Sequence, residues 1–138
     1  MAENIRLEVV TPESSVVSDE AQIVMAPGEL GEFGVLVGHT PFMTSLKVGT
    51  LRYEDANGKE RLVFISGGFA EALPDRVTVL ADSAERRKDI DIDRAKQAIE
   101  RAESRLAKEG DTDIDFVRAR AALIRAINRV RLAESRHA

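Results

Sequence analysis

The spacing of the apolar side chains changes once along this chain of 138 residues. Up to about Asp82, apolar and polar residues alternate in short runs, as in "IRLEVV" from Ile5 onward, which is typical of half-buried strands. After Asp82, apolar residues recur every three or four positions, which is typical of amphipathic helices. We therefore predict a β-domain over residues 1–84 and a helical domain over residues 85–138.

Turn-forming pairs divide the first part into short strands. The pairs are Pro27-Gly28, Asn57-Gly58, Gly67-Gly68 and Pro74-Asp75. The second of these pairs tolerates positive φ, which favours a tight hairpin between "TLRYE" and "RLVFI". No helical pattern separates these strands, so alternating βα units are excluded. The expected fold is α+β, with an N-terminal flattened β-sandwich or barrel of short antiparallel strands.

Two amphipathic helical patterns follow the β-domain. Their apolar positions are Ile92, Ala95, Ile99, Ala102 and Leu106, then Phe116, Ala119, Leu123, Ala126 and Val130. Gly110 is a natural terminator of the first helix. Thr112 is placed to cap the second helix, and Asp115, three residues later, completes a pair that resembles a capping box. The short connection predicts an antiparallel hairpin, and its alanine-rich seam buries so little area that it also needs the sandwich or a partner.

The charge distribution differs between the two parts. Residues 1–83 carry a net charge of −7 and residues 84–138 a net charge of +3, within a total of −4. From Phe116 onward there are six arginines, no lysine and one acidic residue, Glu134. Such a tail is either a solvated helix face or a surface for an acidic partner. Nucleic acid is not expected as a partner, because aromatic residues make up only 4% of the chain and the acidic body repels phosphates.

The usual catalytic constellations are missing from the sequence. There is no cysteine, and the two histidines are His39 and His137. A Ser-His-Asp arrangement would have to use His39, but "VGHTPF" predicts a turn, where a histidine serves loop structure or an interface. No phosphate-binding glycine motif precedes a helix, and no ligand-like spacing predicts a metal site.

The sequence also has no leader and no apolar run long enough to span a membrane, so we expect a soluble intracellular protein.

Arginines are placed to converge if the hairpin closes. Arg94 and Arg101 lie two turns apart on the first helix, and Arg125 and Arg129 lie one turn apart on the second. Antiparallel closure brings Arg94 near the second pair, with Asp91 alongside. A phosphate-bearing ligand would relieve the repulsion of these like charges. The alternative is that the arginines point into water or pair with nearby carboxylates, which are Glu85, Asp91 and Glu100.

Several motifs in a fixed order carry a family resemblance. "GELGEFGVLVGHTPF", "SGGFAEALPDRVTVLADSAE" and "IDIDRAKQAIERAESRL" resemble the epsilon subunit of bacterial F-type ATP synthases over essentially the whole chain. In one loop this chain has Val37 where proline is typical of the family. The resemblance implies an N-terminal β-sandwich to about Ala84 and a two-helix C-terminal hairpin.

The resemblance also implies a role in a rotary complex. The sandwich would bind the gamma subunit and rest on the c-subunit ring, coupling proton flow to rotation without catalysing a reaction. The protein would then lie at the cytoplasmic face of the bacterial plasma membrane, in contact with the membrane only through the complex. Glu32 occupies a loop position that faces the c-ring in related subunits, and Phe33 and His39 flank it as expected interface residues.

The resemblance further implies two states of the hairpin. When extended along gamma, its basic helix would meet acidic residues of a beta subunit, between the catalytic alpha and beta subunits, and block ATP hydrolysis. The arginines of that helix are Arg118, Arg120, Arg125, Arg129 and Arg131. Two further interpretations stay open: a free-standing ATP-sensing interaction module, and a small hydrolase built around His39.

When folded, the hairpin of some family members binds ATP. The motif is Ile or Leu, Asp, any two residues, Arg and Ala, which "IDIDRA" matches with Ile90, Asp91, Arg94 and Ala95. The supporting positions are Glu85, Arg101, Arg125 and Arg129. Asp91 would also cap the first helix, with Ile90 packing on Ala95 as a staple. No cofactor is required, and ATP is expected as a regulatory ligand that stabilises the folded state.

Overall fold

The computed structural model describes residues 3–108 and 110–135, in which seven strands are followed by two helices. The strands are β1 (Ile5–Val10), β2 (Ser15–Gly28), β3 (Gly31–Val35), β4 (Phe42–Leu46), β5 (Gly49–Asp55), β6 (Glu60–Leu73) and β7 (Arg76–Arg86). A single 3-10 turn, Arg87–Asp89, leads into helices α1 (Ile92–Leu106) and α2 (Phe116–Glu134). The predicted order, a β-sandwich and then a helical hairpin, is confirmed. The last strand continues two residues beyond Ala84.

The strands form one sheet that folds over on itself. Strand β2 pairs with β1, β3 and β5, and β6 pairs with β4, β5 and β7, all of them antiparallel. Strand β1 pairs with β7 in parallel, from Arg6 opposite Arg76 to Val10 opposite Leu80. The prediction of antiparallel strands alone is therefore wrong at this pair. A parallel ladder needs a long connection between its strands, and here the whole sandwich supplies it.

Alternation along the strands places the core between the two layers. Ile5, Leu7 and Val9 are fully buried, as the period-2 pattern predicts, and Val77 and Val79 on the neighbouring strand are buried with them. Their burial removes apolar area from water on the inner face of both strands, at about 25 cal/mol per Å². They belong to a cluster of buried residues that we call the inner cluster, and all its members lie between Ile5 and Ala84.

The pair Gly67-Gly68 does not end a strand. Strand β6 runs through it, pairing with β5 as far as Ile65 and with β4 from Gly68 onward. Both glycines have positive φ, and a Cβ on Gly68 would lie 2.1 Å from the carbonyl oxygen of Leu80. Glycine is therefore required where the strand changes partner and approaches β7 closely. In the β5–β6 turn, Gly58 has positive φ but Asn57 does not.

Strand β6 is buried on both of its faces. Val63 and Ile65 point into the inner cluster, while Leu62 and Phe64 point outward. The outward pair packs with Ile90 and Leu132 in a second cluster of buried residues, which we call the outer cluster. The hairpin thus covers the outer face of β6. The predicted contact between hairpin and sandwich is therefore present.

The hairpin has the predicted alanine seam. Ala95, Ala102, Ala119 and Ala126 are its buried residues between the helices. Lys96 and Glu134 add an ion pair of 3.1 Å between the first turn of α1 and the last turn of α2. Since alanine contributes little apolar area, the seam sets how closely the helices approach more than how strongly they bind.

The ends of the helices agree only in part with the predictions. Asp91 caps α1, accepting a hydrogen bond of 3.0 Å from the backbone N–H of Arg94, as expected. Helix α1 ends at Leu106, before Gly110. The predicted Thr112 cap of α2 is wrong. Residues 111–114 form a turn of their own, and Asp115 caps the helix by accepting from the backbone N–H of Arg118 at 3.0 Å. Neither helix, as far as the described residues show, is long and apolar enough to cross a membrane.

Candidate functional site

A groove of about 640 Å³ lies between the hairpin, the end of β7 and the β1–β2 turn. Seven of the eight residues predicted to bind ATP line it: Glu85, Asp91, Arg94, Ala95, Arg101, Arg125 and Arg129. The eighth, Ile90, does not line this groove. Predicted to pack on Ala95, it is buried in the outer cluster against the sandwich. The structure therefore brings together the polar part of the predicted set.

Arg129 is held against the sandwich by two partners. Its Nε donates to Oε1 of Glu85 at 2.5 Å, and its Cζ lies 4.4 Å from the centroid of the Phe64 ring. The pairing of this arginine with Glu85 was one of the two alternatives left open by the sequence. A guanidinium stacked on an aromatic ring and paired with a carboxylate links α2 to both β6 and β7. Arg129 thus fastens the folded hairpin.

The other three arginines of the groove have no such partners. Within the described part of the chain, the side chains of Arg94, Arg101 and Arg125 form no hydrogen bond and no ion pair. Guanidinium groups that line one groove and form no direct bond to a carboxylate are suited to bind a ligand with several anionic oxygens. Carboxylates line the groove as well; they are Glu13, Asp82, Glu85, Asp89 and Asp91. The groove can therefore hold an anion that contacts the guanidinium groups directly, while its carboxylates repel anions that do not.

The β1–β2 turn is the part of the groove that the sequence did not predict. Thr11, Pro12, Glu13 and Ser14 line the groove from the sandwich side. The Thr11 hydroxyl accepts hydrogen bonds from the backbone N–H of Glu13 at 3.3 Å and of Ser14 at 3.2 Å, which fixes the turn. The letters "TPES" predict a turn, but not that it lies beneath the hairpin.

The arginines of the basic helix divide into two groups in the folded hairpin. Arg118, Arg120 and Arg131 are exposed, whereas Arg125 and Arg129 are half-buried in the groove. The sixth arginine, Arg136, and His137 lie outside the described residues. The folded hairpin therefore presents only part of its basic surface to the outside.

The comparisons with known proteins match both parts of the chain. Residues 4–87 match the family described as ATP synthase, Delta/Epsilon chain, beta-sandwich domain, and residues 88–134 match its long alpha-helix domain. A protein of Desulforapulum autotrophicum named ATP synthase epsilon chain is 64% identical over 136 residues, covering 99% of this chain and 100% of its own. The chain belongs to the ATP synthase epsilon-chain family. The ATP synthase epsilon chain of Syntrophobacter fumaroxidans is 55% identical, covering 97% of this chain and 98% of its own.

Solved structures show the same fold. A chain in the cryo-EM structure of the Euglena gracilis mitochondrial ATP synthase has a TM-score of 0.78 and 24% identity, covering 93% of this chain and 80% of its own. A chain in the central stalk and c-ring of the Tetrahymena thermophila enzyme has a TM-score of 0.56 and 16% identity, covering 96% and 95%. The resemblance to the epsilon family and the predicted fold class are thus confirmed.

The predicted interface residues of this epsilon-family chain lie at one end of the sandwich. Glu32, which was predicted to occupy a loop, lies instead on β3 opposite Pro27. It pairs with Arg52, with 2.9 Å between Oε1 and Nη2. Phe33 and His39 each contact the ring of Phe42, at 5.1 and 5.0 Å between ring centroids. Leu30 is fully exposed beside them. Phe33 therefore packs under the loop that carries His39, through the ring of Phe42. The exposed apolar surface belongs to Leu30 in the β2–β3 turn.

His39 has the contacts of a loop residue. Its Nδ1 donates to the backbone carbonyl of Thr40 at 2.6 Å, and its ring packs on Phe42. A nucleophile–base pair would need a serine or threonine hydroxyl bonded to the imidazole, and no such bond is formed in the described structure. The described residues also contain no group of three or more potential metal ligands.

An apolar face on the outside of the sandwich was missed by the sequence reading. Met43, Phe69 and Leu80 are exposed on β4, β6 and β7, and Phe69 lies directly opposite Leu80 in the ladder. Phe69 pairs with Ser45 of β4, and Met43 lies two residues from Ser45 on the same face of that strand. Adjacent exposed apolar side chains on neighbouring strands are typical of a docking surface. We call these three residues the apolar face.

A polar network fixes the end of β7. The hydroxyl of Tyr53, which is buried, donates to Oδ2 of Asp19 at 2.5 Å. Arg86 donates to the Tyr53 oxygen at 3.2 Å and to the Val16 carbonyl at 3.1 Å, and it pairs with Asp19 at 3.4 Å. Burial, followed by the hydrogen bond to Asp19, raises the pKa of Tyr53 to about 12. The hydrogen bond from Tyr53 in turn lowers the pKa of Asp19.

Proposed function

We propose that this chain is a non-catalytic rotor subunit in the central stalk of a bacterial proton-translocating ATP synthase, at the cytoplasmic face of the plasma membrane. The observation that carries the proposal is the match of both domains to the epsilon-chain family, with a relative that is 64% identical over 99% of the chain. The two solved assemblies with this fold contain a c-ring, and one is described as a central stalk.

Two surfaces of the sandwich suit two partners of a stalk subunit. The apolar face is suited to bind the gamma subunit, because a stable protein interface buries apolar side chains at its centre. The β2–β3 turn with Leu30, together with Glu32 next to it on β3, is suited to rest on the c-ring, since this end of the sandwich carries both apolar and charged groups. In this arrangement the sandwich transmits rotation between ring and stalk.

A substitution in the apolar face tests the contact with gamma. Phe69→Asp is expected to weaken co-elution with the gamma subunit of the same organism by about tenfold or more, because a carboxylate would be buried at the centre of the interface. Val117→Asp is the matched control, since Val117 is an exposed apolar residue on α2, with 82% of its surface accessible. If the wild-type chain binds ATP but does not co-elute with gamma, the chain is a free-standing ATP sensor instead.

The hairpin regulates the complex by switching between two positions. In the folded position it binds ATP in the groove, through the free guanidinium groups of Arg94, Arg101 and Arg125. In the extended position, between the alpha and beta subunits, Arg125 and Arg129 leave the groove and join the exposed arginines of α2 in contacting acidic residues of a beta subunit. ATP binds only the folded position, because the groove needs both helices, β7 and the β1–β2 turn. Inhibition of hydrolysis therefore relaxes as the ATP concentration rises.

Titration of ATP into the isolated chain tests the groove. Arg94→Ala is expected to weaken ATP binding on the order of tenfold, since one charge-assisted contact to phosphate is lost. Its effect on inhibition should be smaller, because Arg94 is on α1 and not on the basic helix. Arg105→Ala is the control: it removes an exposed α1 arginine that does not line the groove. Calorimetry that detects no heat of ATP binding to the wild type would reject the regulatory part of the proposal.

A further inference from the structure

A second groove, of about 440 Å³, lies between the start of β6, the 3-10 turn after β7 and the two ends of the hairpin. We call it the basic groove, because five basic residues line it: Lys59, Arg61, Arg86, Arg87 and Lys88. The rest of its lining is apolar: Leu62, Ile90, Ile92 and Ala133. None of the described residues that line it is acidic, in contrast to the first groove, which we call the ATP groove after its proposed ligand.

Two of the five charges are compensated. Arg61 pairs with Asp55 at 3.1 Å, and Arg86 pairs with Asp19 at 3.4 Å. Arg87 donates to the backbone carbonyl of Ser135, which carries no charge. Lys59 and Lys88 form no ion pair with any described residue. Three positive charges thus surround one concavity in a chain whose net charge is −4, and they repel each other unless an anion lies between them.

The backbone that carries these charges is fixed. Asp55 accepts hydrogen bonds from the backbone N–H groups of Asn57 at 2.9 Å and Lys59 at 3.0 Å, and the bond to Lys59 lowers the pKa of the Asp55 carboxyl. Arg87 and Lys88 belong to the 3-10 turn that joins β7 to the hairpin. An anion would therefore meet a fixed backbone, and only the exposed side chains of Lys59 and Lys88 would have to be ordered on binding.

We propose that the basic groove binds a free polyvalent phosphate anion and that this anion stabilises the folded hairpin. The cations come from the sandwich at Lys59 and from the linker at Arg87 and Lys88, and Ala133 of α2 completes the groove. An extended hairpin would remove α2 and the apolar floor, so the anion binds the folded position preferentially. This site shares no lining residue with the first groove.

The position of the groove favours a soluble anion over the phosphate of a lipid headgroup. The β2–β3 turn, proposed to face the c-ring, begins at Gly28, whereas Asp55 at the β5–β6 turn lies opposite Ala21 of β2. Seven residues of strand separate the two levels, or about 23 Å at 3.3 Å per residue. The basic groove therefore lies on the side of the sandwich away from the membrane.

Inorganic pyrophosphate is the probe for this site. It is titrated into the full chain at constant ionic strength, with binding followed by calorimetry. Hairpin docking is followed by energy transfer between labels on Ser104→Cys and Glu71→Cys, which is simple because the chain has no cysteine. We expect pyrophosphate to bind and to increase the docked fraction. The double variant Lys59→Ala/Lys88→Ala should bind about a hundredfold more weakly, at on the order of tenfold per lost charge-assisted contact.

Control arms locate the anion and its source. Arg94→Ala, in the ATP groove, should leave pyrophosphate binding in place, whereas its loss in that variant alone would put the anion in the ATP groove and overturn the proposal. Vesicles with phosphatidylglycerol should not compete; binding to such vesicles without binding to pyrophosphate would assign the groove to lipid and also overturn it. The double variant keeps all the contacts of the inner and outer clusters, so a failure to bind would not reflect unfolding. Failure of ATP to bind would leave this proposal untouched.

Discussion

Replacing Phe64 with alanine is expected to release the hairpin from the sandwich while the sandwich stays folded. Phe64 is 0% exposed, packed with Ile90 and Leu132 beneath the guanidinium of Arg129. Removing a buried phenylalanine costs about 3–5 kcal/mol. Because the ring would face water once the hairpin leaves, most of this cost falls on the docked state alone. The equilibrium between docked and released hairpin should then shift by about a hundredfold or more.

The same energy-transfer pair measures this release. Phe69→Ala is a close control, because Phe69 is a phenylalanine on the same strand with 57% of its surface exposed, and its removal should leave docking unchanged. In the assembled complex, Phe64→Ala should strengthen inhibition of hydrolysis at a given ATP concentration. Docking that is equal in Phe64→Ala and the wild type would mean that the outer cluster does not hold the hairpin.

Raising the pH from about 10 to about 12 is expected to destabilise the sandwich through one residue. The pKa of Tyr53 is raised to about 12 in the folded chain, against about 10 for an unfolded tyrosine. Since the folded state holds its proton more tightly, this stabilisation is complete below about pH 10 and is lost as the pH rises through 12. Its size is about 2–3 kcal/mol.

Denaturant unfolding at a series of alkaline pH values measures this loss. Tyr53→Phe keeps the buried ring but cannot ionise, so its stability should fall less than that of the wild type over the same range. At neutral pH the variant should be less stable, because Asp19 and Arg86 each lose a hydrogen bond. Tyr53 is the single tyrosine of the chain, so tyrosinate absorbance reports on it alone. A folded chain in which that absorbance rises with a midpoint near pH 10 would contradict the network described here.

The order of the elements could be predicted from side-chain spacing, since period 2 and period 3.6 are local properties of the sequence. The Asp91 cap was predictable for the same reason. The predicted strand ends and helix caps were wrong where the same residues suit two local structures. Gly68 permits a close approach to Leu80 inside a strand, and a glycine inside a strand looks in sequence like a strand end. Thr112 and Asp115 are both good caps, and the turn formed by residues 111–114 decided between them.

The arginines of the ATP groove were predictable because hairpin closure and residue spacing bring them together. The proposal that ATP is their ligand came from the family resemblance. Contacts between distant segments were not predictable. Nothing in "TPES" shows that the β1–β2 turn forms a wall of the groove. Lys59 and Lys88 are both ordinary surface lysines in sequence, and their convergence depends on how β6 and β7 align. The burial of Ile90 against Phe64 instead of in the groove depends on the same packing.

The two-sided burial of β6 has a consequence for how the hairpin responds to temperature. Release of the hairpin exposes Leu62 and Phe64 to water, along with their partners Ile90 and Leu132. Hydration of apolar surface increases the heat capacity, so release carries a positive heat-capacity change. The docking free energy therefore passes through a maximum and declines on both cooling and heating. The same chain at the same ATP concentration would then hold its hairpin most firmly within a limited range of temperature.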